Sequence, residues 1–124
     1  MVGAGGLEMV VDEDHAGHNL VAVGNLQPPV EEGRDELDSF MFQTVGWNVI
    51  EAYSECLGLP LYRNELGGRS VHQELSYRPT DHDEVEDLYQ LLLQVKENHP
   101  EINAVASGAI LSTYQRNRVE NVYV

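Results

Sequence analysis

Three short apolar runs, each followed by a stretch with helical spacing, constrain this chain more than any other feature. Residues 19–26 (Asn-Leu-Val-Ala-Val-Gly-Asn-Leu) are almost continuously apolar, the pattern of a strand buried on both faces. Residues 59–65 and 102–107 supply two further strand candidates. After the first run, Pro28, Pro29 and Gly33 place an exposed loop over residues 27–34. From Asp35, apolar groups recur by threes and fours at Leu37, Phe40, Met41, Val45, Val49, Ala52, Tyr53 and Cys56, which predicts a helix that Gly58 and Pro60 stop. Thr80 with Asp83 reads as a capping box opening a second helix, with Val85, Leu88, Leu92 and Val95 along one stripe. Lys96 and His99 suit its last turn, and Pro100 ends it. Ser112 with Gln115 forms another capping pair and starts a third helix.

The order β-α-β-α-β-α predicts an α/β fold, a Rossmann-like parallel sheet with right-handed crossovers and helices on both faces. At 124 residues the chain has room for one domain and one modest core, burying roughly two-thirds of its unfolded surface. Residues 1–15 read as a divergent, flexible terminus, and residues 16–124 as the domain. Gly3-Ala4-Gly5-Gly6 lacks both a preceding strand and a following Lys-Ser or Lys-Thr, so it is not read as a phosphate loop.

The chain carries 21 Asp and Glu against 7 Lys and Arg, a formal net charge of −14, which repels nucleic-acid backbones and anionic membranes. Nucleic acid is therefore not an expected partner. The single cysteine, Cys56, excludes an internal disulfide and fits a reducing compartment, so the cytoplasm is the expected location. No apolar run approaches the ~20 residues of a membrane helix. Cys56 falls on the apolar face of its helix and reads as a core thiol. The five histidines show no ligand spacing, and no zinc site is predicted.

In open α/β sheets, ligands gather where strands end and helix N-termini present free N–H groups. The stretch from Ser107 to Val122, a strand end, a small-residue loop and a helix start with two arginines, is the first such junction here. Arg63, Arg69, Arg116 and Arg118 fall at or just past the ends of strand candidates. Two readings are open: a local positive pocket suited to a polyphosphate, or arginines each paired with one of the many carboxylates. Asp35, Glu36 and Asp38 likewise read either as a seat for magnesium or an ammonium-bearing substrate, or as the acidic first turn of a helix.

Four ordered blocks carry a family resemblance. They are Asp-Glu-Leu-Asp-Ser-Phe-Met-Phe-Gln-Thr-Val-Gly at 35–46, Leu-Pro-Leu-Tyr-Arg at 59–63, Asp-Glu-Val-Glu-Asp-Leu at 83–88, and Ser-Gly-Ala-Ile-Leu-Ser-Thr-Tyr-Gln-Arg-Asn-Arg-Val-Glu at 107–120. With fitting separations over about residues 16–122, the chain resembles the diphthine–ammonia ligases. The resemblance implies an ATP-pyrophosphatase domain of the adenine-nucleotide α-hydrolase type. Such enzymes activate the carboxylate of diphthine, a modified histidine on elongation factor 2, with ATP, and ammonia then displaces AMP to give diphthamide. ATP and Mg2+ are the implied cofactors, and elongation factor 2 and ammonia the implied partners. Strand-end position and resemblance together place Asn25, Ser107, Gly108, Ala109 and Arg116 on the nucleotide, and Asp35, Glu36, Asp38, Gln43 and Arg63 on the substrate, with Arg63 and Arg116 facing phosphate or the acyl-adenylate.

The resemblance also has a gap. Family members open with a strand followed by Ser-Gly-Gly-Lys-Asp-Ser, the loop that grips pyrophosphate, and nothing here reproduces it. Counting back without gaps, the loop's lysine falls at Ala4. The expectation is an internal slice of the domain, incomplete at both ends, with open strand edges, weak stability and no turnover by itself. A non-catalytic nucleotide-binding or interaction module on the same scaffold is the alternative.

Overall fold

The computed structural model describes residues 7–14, 17–27, 49–67, 71–107 and 112–123. They form a four-stranded sheet in the order β3-β2-β1-β4 and three helices. In chain order these are β1 (Leu7–Asp14), β2 (Gly17–Gln27), α1 (Ile50–Leu57), β3 (Leu61–Glu65), α2 (Glu84–Asn98), β4 (Ala104–Ala106) and α3 (Thr113–Tyr123). The α/β class is as the sequence predicts. β2 pairs parallel with β3, and β1 pairs antiparallel with both β2 and β4, so β2, β3 and β4 all run one way.

β1 departs from the all-parallel expectation. Residues 7–14, assigned from the sequence to a flexible terminus, pair on both sides because β2 and β4 offer facing ladders that a strand must satisfy. The β1–β2 register slips between Val10 and Val11, leaving Val21 as the extra residue of a bulge.

Alternation along β2 divides its side chains between the two faces of the sheet. Leu26 packs with Leu66 and with Val85, Leu88 and Leu91 of α2, and Tyr114, Val119 and Val122 of α3 close over that cluster. Ala22 joins Val95 and Ile102. Val23 points the other way, onto Ile50 of α1, with Tyr53, Leu61 and Ala106 around it. Helices therefore cover both faces, α2 and α3 on one and α1 on the other.

The helix ends follow local rules. Gly58 adopts a left-handed conformation (φ 66°) after α1 and its N–H caps the carbonyls of Ser54 and Glu55, as its position before Pro60 predicts. Ser112 caps α3, its Oγ accepting from the Gln115 N–H at 3.3 Å. At α2 the cap is Asp83 rather than Thr80: Asp83 Oδ1 accepts from Val85 N at 3.0 Å, while the Thr80 hydroxyl donates to the Arg78 carbonyl at 2.8 Å. Lys96 Nζ donates to the Pro100 carbonyl at 2.9 Å and to that of Ile102, closing the turn into β4. Cys56 is exposed, correcting the core-thiol reading. The described helix buries Ile50 and half-buries Tyr53 and Ser54, a stripe that leaves Ala52 and Cys56 outside it.

Candidate functional site

The parallel strands end together at one edge of the sheet, and Asn25 and Arg63 stand there as register partners on β2 and β3. Asn25 is fully buried, on the same face as Val23. Arg63 Nε donates to Asn25 Oδ1 at 3.1 Å, and its Nη1 reaches Glu51 Oε1 on α1 at 3.5 Å. Burial lowers the Arg63 pKa below its ordinary value, and the Glu51 carboxylate opposes that shift. The guanidinium is largely sheltered while Glu51 is mostly exposed, so the ion pair orients the cation more than it stabilises the fold. A carboxamide and a guanidinium fixed against each other at strand ends can bind an anion or an amide-like ring edge.

β4 brings Ser107 toward the same edge. Met9 pairs with both Val23 and Ala106, which sets those two residues level, and Ala106 packs into the Val23–Ile50 cluster. Ser107 follows directly, with β1 lying between β2 and β4 over two strand spacings, about 10 Å.

The four arginines at or past the strand ends divide. Arg63 is at the edge on the α1 face. Arg116 lies on α3, which covers the other face; it is two-thirds exposed and pairs with Glu120 one turn on, at 3.4 Å. Arg118 is fully buried and serves the fold. Its Nη2 donates to the carbonyls of His72 at 2.5 Å and Glu74 at 2.9 Å, and its Nη1 to Tyr114 at 3.3 Å. Its guanidinium carbon lies 3.3 Å from the centroid of the Tyr114 ring and 5.1 Å from that of Tyr77. Arg69, Gly108, Ala109, Asp35, Glu36, Asp38 and Gln43 lie outside the described residues. Among the described candidates, contact joins Asn25 and Arg63, while Arg116 is held by Glu120.

Two groups escaped sequence reading. Glu51 orients Arg63, and its signal is only a carboxylate in the first turn of α1. Asp83 does more than cap α2: its Oδ2 also accepts from Val71 N at 3.1 Å and His72 N at 2.8 Å. With Arg118 and with Asn117, whose Nδ2 donates to the Leu75 carbonyl at 3.0 Å, it straps residues 71–77 across the helices. Tyr77 donates to Glu86 at 2.7 Å; burial and that bond push its pKa far above the ordinary tyrosine value.

A separate cleft of about 570 Å³ opens between the C-terminal half of α2 and the approach to β4, lined by Tyr89, Leu93, Lys96, Ile102, Val105 and Val122. It sits at the amino end of β4, away from Asn25 and Arg63. Among the described residues no group of three or more His, Cys, Asp and Glu could hold a metal. No described helix is long and apolar enough to cross a membrane.

Residues 15–123 match the diphthamide synthase N-terminal domain family. The chain is 58% identical over 106 residues to a diphthine–ammonia ligase of Schizosaccharomyces pombe, a match covering 86% of this chain and 17% of that protein. It is 56% identical over 107 residues to the enzyme of the same name in Danio rerio, covering 86% of this chain and 42% of the relative. The Homo sapiens protein of that name is 53% identical over 108 residues, covering 86% and 40%. The chain thus spans less than half the length of these curated relatives. No solved structure matches it.

Proposed function

Because the chain belongs to the diphthamide synthase N-terminal domain family, we propose that it forms a nucleotide- and substrate-facing wall for diphthine amidation. In this reading ATP activates the diphthine carboxylate on elongation factor 2, ammonia attacks the acyl-adenylate, and AMP and pyrophosphate leave. The observation that carries it is the Asn25–Arg63 pair at the carboxyl edge of parallel strands, the edge where such sheets seat ligands.

Arg63 presents positive charge to the phosphate or the adenylate, where charge develops as pyrophosphate departs. Asn25, buried and bonded to it, holds the guanidinium in one orientation. Ser107, Gly108 and Ala109 line the adenosine through backbone groups, and Arg116, in the first turn of α3, adds its charge only on release from Glu120. Asp35, Glu36, Asp38 and Gln43 orient the substrate. The described donors at this edge fit an anionic nucleotide. Mg2+ suits arrival on the phosphates with its own waters, since it needs only one or two protein carboxylates.

One observation supports a second reading for the isolated chain, a non-catalytic nucleotide-binding module: β1, which lies before the family-matched residues, stands between β2 and β4. Both readings are tested by titrating isotope-labelled chain with ATP and Mg2+ while monitoring amide and side-chain resonances. Shifts at Asn25, Arg63 and Ser107, with Lys96 and Tyr89 unmoved, are expected. Pyrophosphate release by the chain alone would exclude the non-catalytic reading, and saturating ATP with no shift at Asn25 or Arg63 would overturn both.

A further inference from the structure

Of the described elements, β1 alone lies outside the family-matched residues 15–123; every element from β2 to α3 lies within them. Yet it occupies an inner position of the sheet. β2 and β4 run the same way on either side of it, too far apart to hydrogen-bond to one another, and β1 satisfies the inner ladder of both.

Its two ladders are unequal, eight pairs to β2 and three to β4. The ladder to β2 is interrupted by the slip between Val10 and Val11, and the ladder to β4 has only the pairs Met9–Ala106, Val10–Val105 and Val11–Ala104. The two residues between Asp14 and Gly17 are the whole link from β1 to β2. When β1 leaves, two facing ladders lose their partners together, and the element that remakes every lost contact is another copy of β1.

We propose that β1 is an exchangeable strand, and that the slot between β2 and β4 accepts β1 from a second copy of this chain. Reciprocal exchange gives a two-fold dimer in which residues 7–27 of each copy span both bodies, with β1 antiparallel to the partner's β2. Domain swapping of this kind creates no new contact within the sheet and repeats all the old ones. The tethered strand competes at an effective concentration of about 1 mM, so exchange grows as the chain approaches that concentration. Each copy carries a formal charge of −14, so added salt screens the repulsion and favours the dimer.

The test uses the full chain with Cys56→Ser, Asp12→Cys and Asn19→Cys. Asp12 and Asn19 are register partners, and Asn19 is exposed. Either spacing of an antiparallel pair, about 4.5 or 5.5 Å between Cα atoms, admits a disulfide. Mixed ¹⁵N-labelled and unlabelled copies are equilibrated from about 10 µM to about 1 mM, a range chosen around the effective concentration of the tether, then oxidised and weighed by mass spectrometry. The expected result is an internal disulfide at the low end and heavy–light pairs linking 12 to 19 at the high end, increasing with salt. Deleting Ala16 shortens the link and is expected to raise the dimer fraction at every concentration. Crosslinks that stay within one copy across the whole range overturn the proposal. Should the Ala16 deletion fail to fold, the heavy–light result decides alone.

Discussion

Truncating Arg118 to alanine removes a fully buried cation that donates to the carbonyls of His72, Glu74 and Tyr114. Charge-assisted bonds of this kind contribute about 1.5–3 kcal/mol each. Stacking between Tyr114 and Tyr77 adds about 1–2 kcal/mol in a desolvated setting. Desolvation of the guanidinium offsets several kcal/mol of that sum. The His72 carbonyl keeps the Tyr114 hydroxyl at 3.2 Å, which limits the loss further. The net expectation is a destabilisation of about 3 kcal/mol, a large share of the roughly 5–15 kcal/mol of a typical domain. Arg118→Lys keeps the charge but loses the planar fork, and is expected to cost about 2 kcal/mol. Urea denaturation followed by circular dichroism reads this as a midpoint lowered by about 1.5 M for the alanine variant, at a slope near 2 kcal/mol per M. Hydrogen exchange should quicken first in residues 71–77. A midpoint within about 0.3 M of the parent would refute the clamp.

Asp83→Ala leaves the N–H groups of Val71, His72 and Val85 without their carboxylate and is expected to cost about 3 kcal/mol, whereas Thr80→Ala costs less than about 0.5, both measured by urea midpoint. Gly58→Ala forces a side chain into φ 66° with open space around it, so the loss is conformational, about 1 kcal/mol in the same assay. Tyr77 and Tyr114 both have pKa values raised chiefly by burial, with Arg118 opposing the shift at Tyr114. Their folded-state values exceed the unfolded value of about 10, so their stabilisation is complete below that pH and is lost as pH climbs above it. Absorbance titration should show the Tyr77 and Tyr114 phenols ionising above the ordinary value of about 10, with Tyr77→Phe flattening the alkaline loss of stability.

Legibility in the sequence tracked how local each cause was. Ser112 capping α3 and Gly58 ending α1 depend on residues within one turn, and both were readable. At α2 the capping box put Thr80 at the cap and Asp83 three residues on as its partner. Asp83 took the role because it also binds residues 71 and 72, a contact 11 or 12 positions away that no helix pattern encodes. Tyr114 and Arg118 are spaced to stack on one helix, but the carbonyl of His72 lies 46 residues upstream, so the sequence offered Arg118 as a pocket cation or a carboxylate's partner and not as a clamp on carbonyls. β1 was the least visible element: its run of Met9, Val10 and Val11 is short and flanked by acids, and pairing on both sides is what makes it a strand. Of the candidate site, the juxtaposition of Asn25 with Arg63 depends on parallel register, which the strand pattern implied without fixing the pairing.

The most direct measurement replaces the matching segment of the Schizosaccharomyces pombe relative with residues 15–123 of this chain and follows diphthamide on elongation factor 2 by mass spectrometry. The account predicts that the chimera restores diphthamide, that Arg63→Ala within it lowers formation by about a hundredfold, the scale of one lost transition-state donor, and that the exposed Leu93→Gln leaves it unchanged. A folded, expressed chimera that makes no diphthamide, or one indifferent to Arg63→Ala, would contradict it.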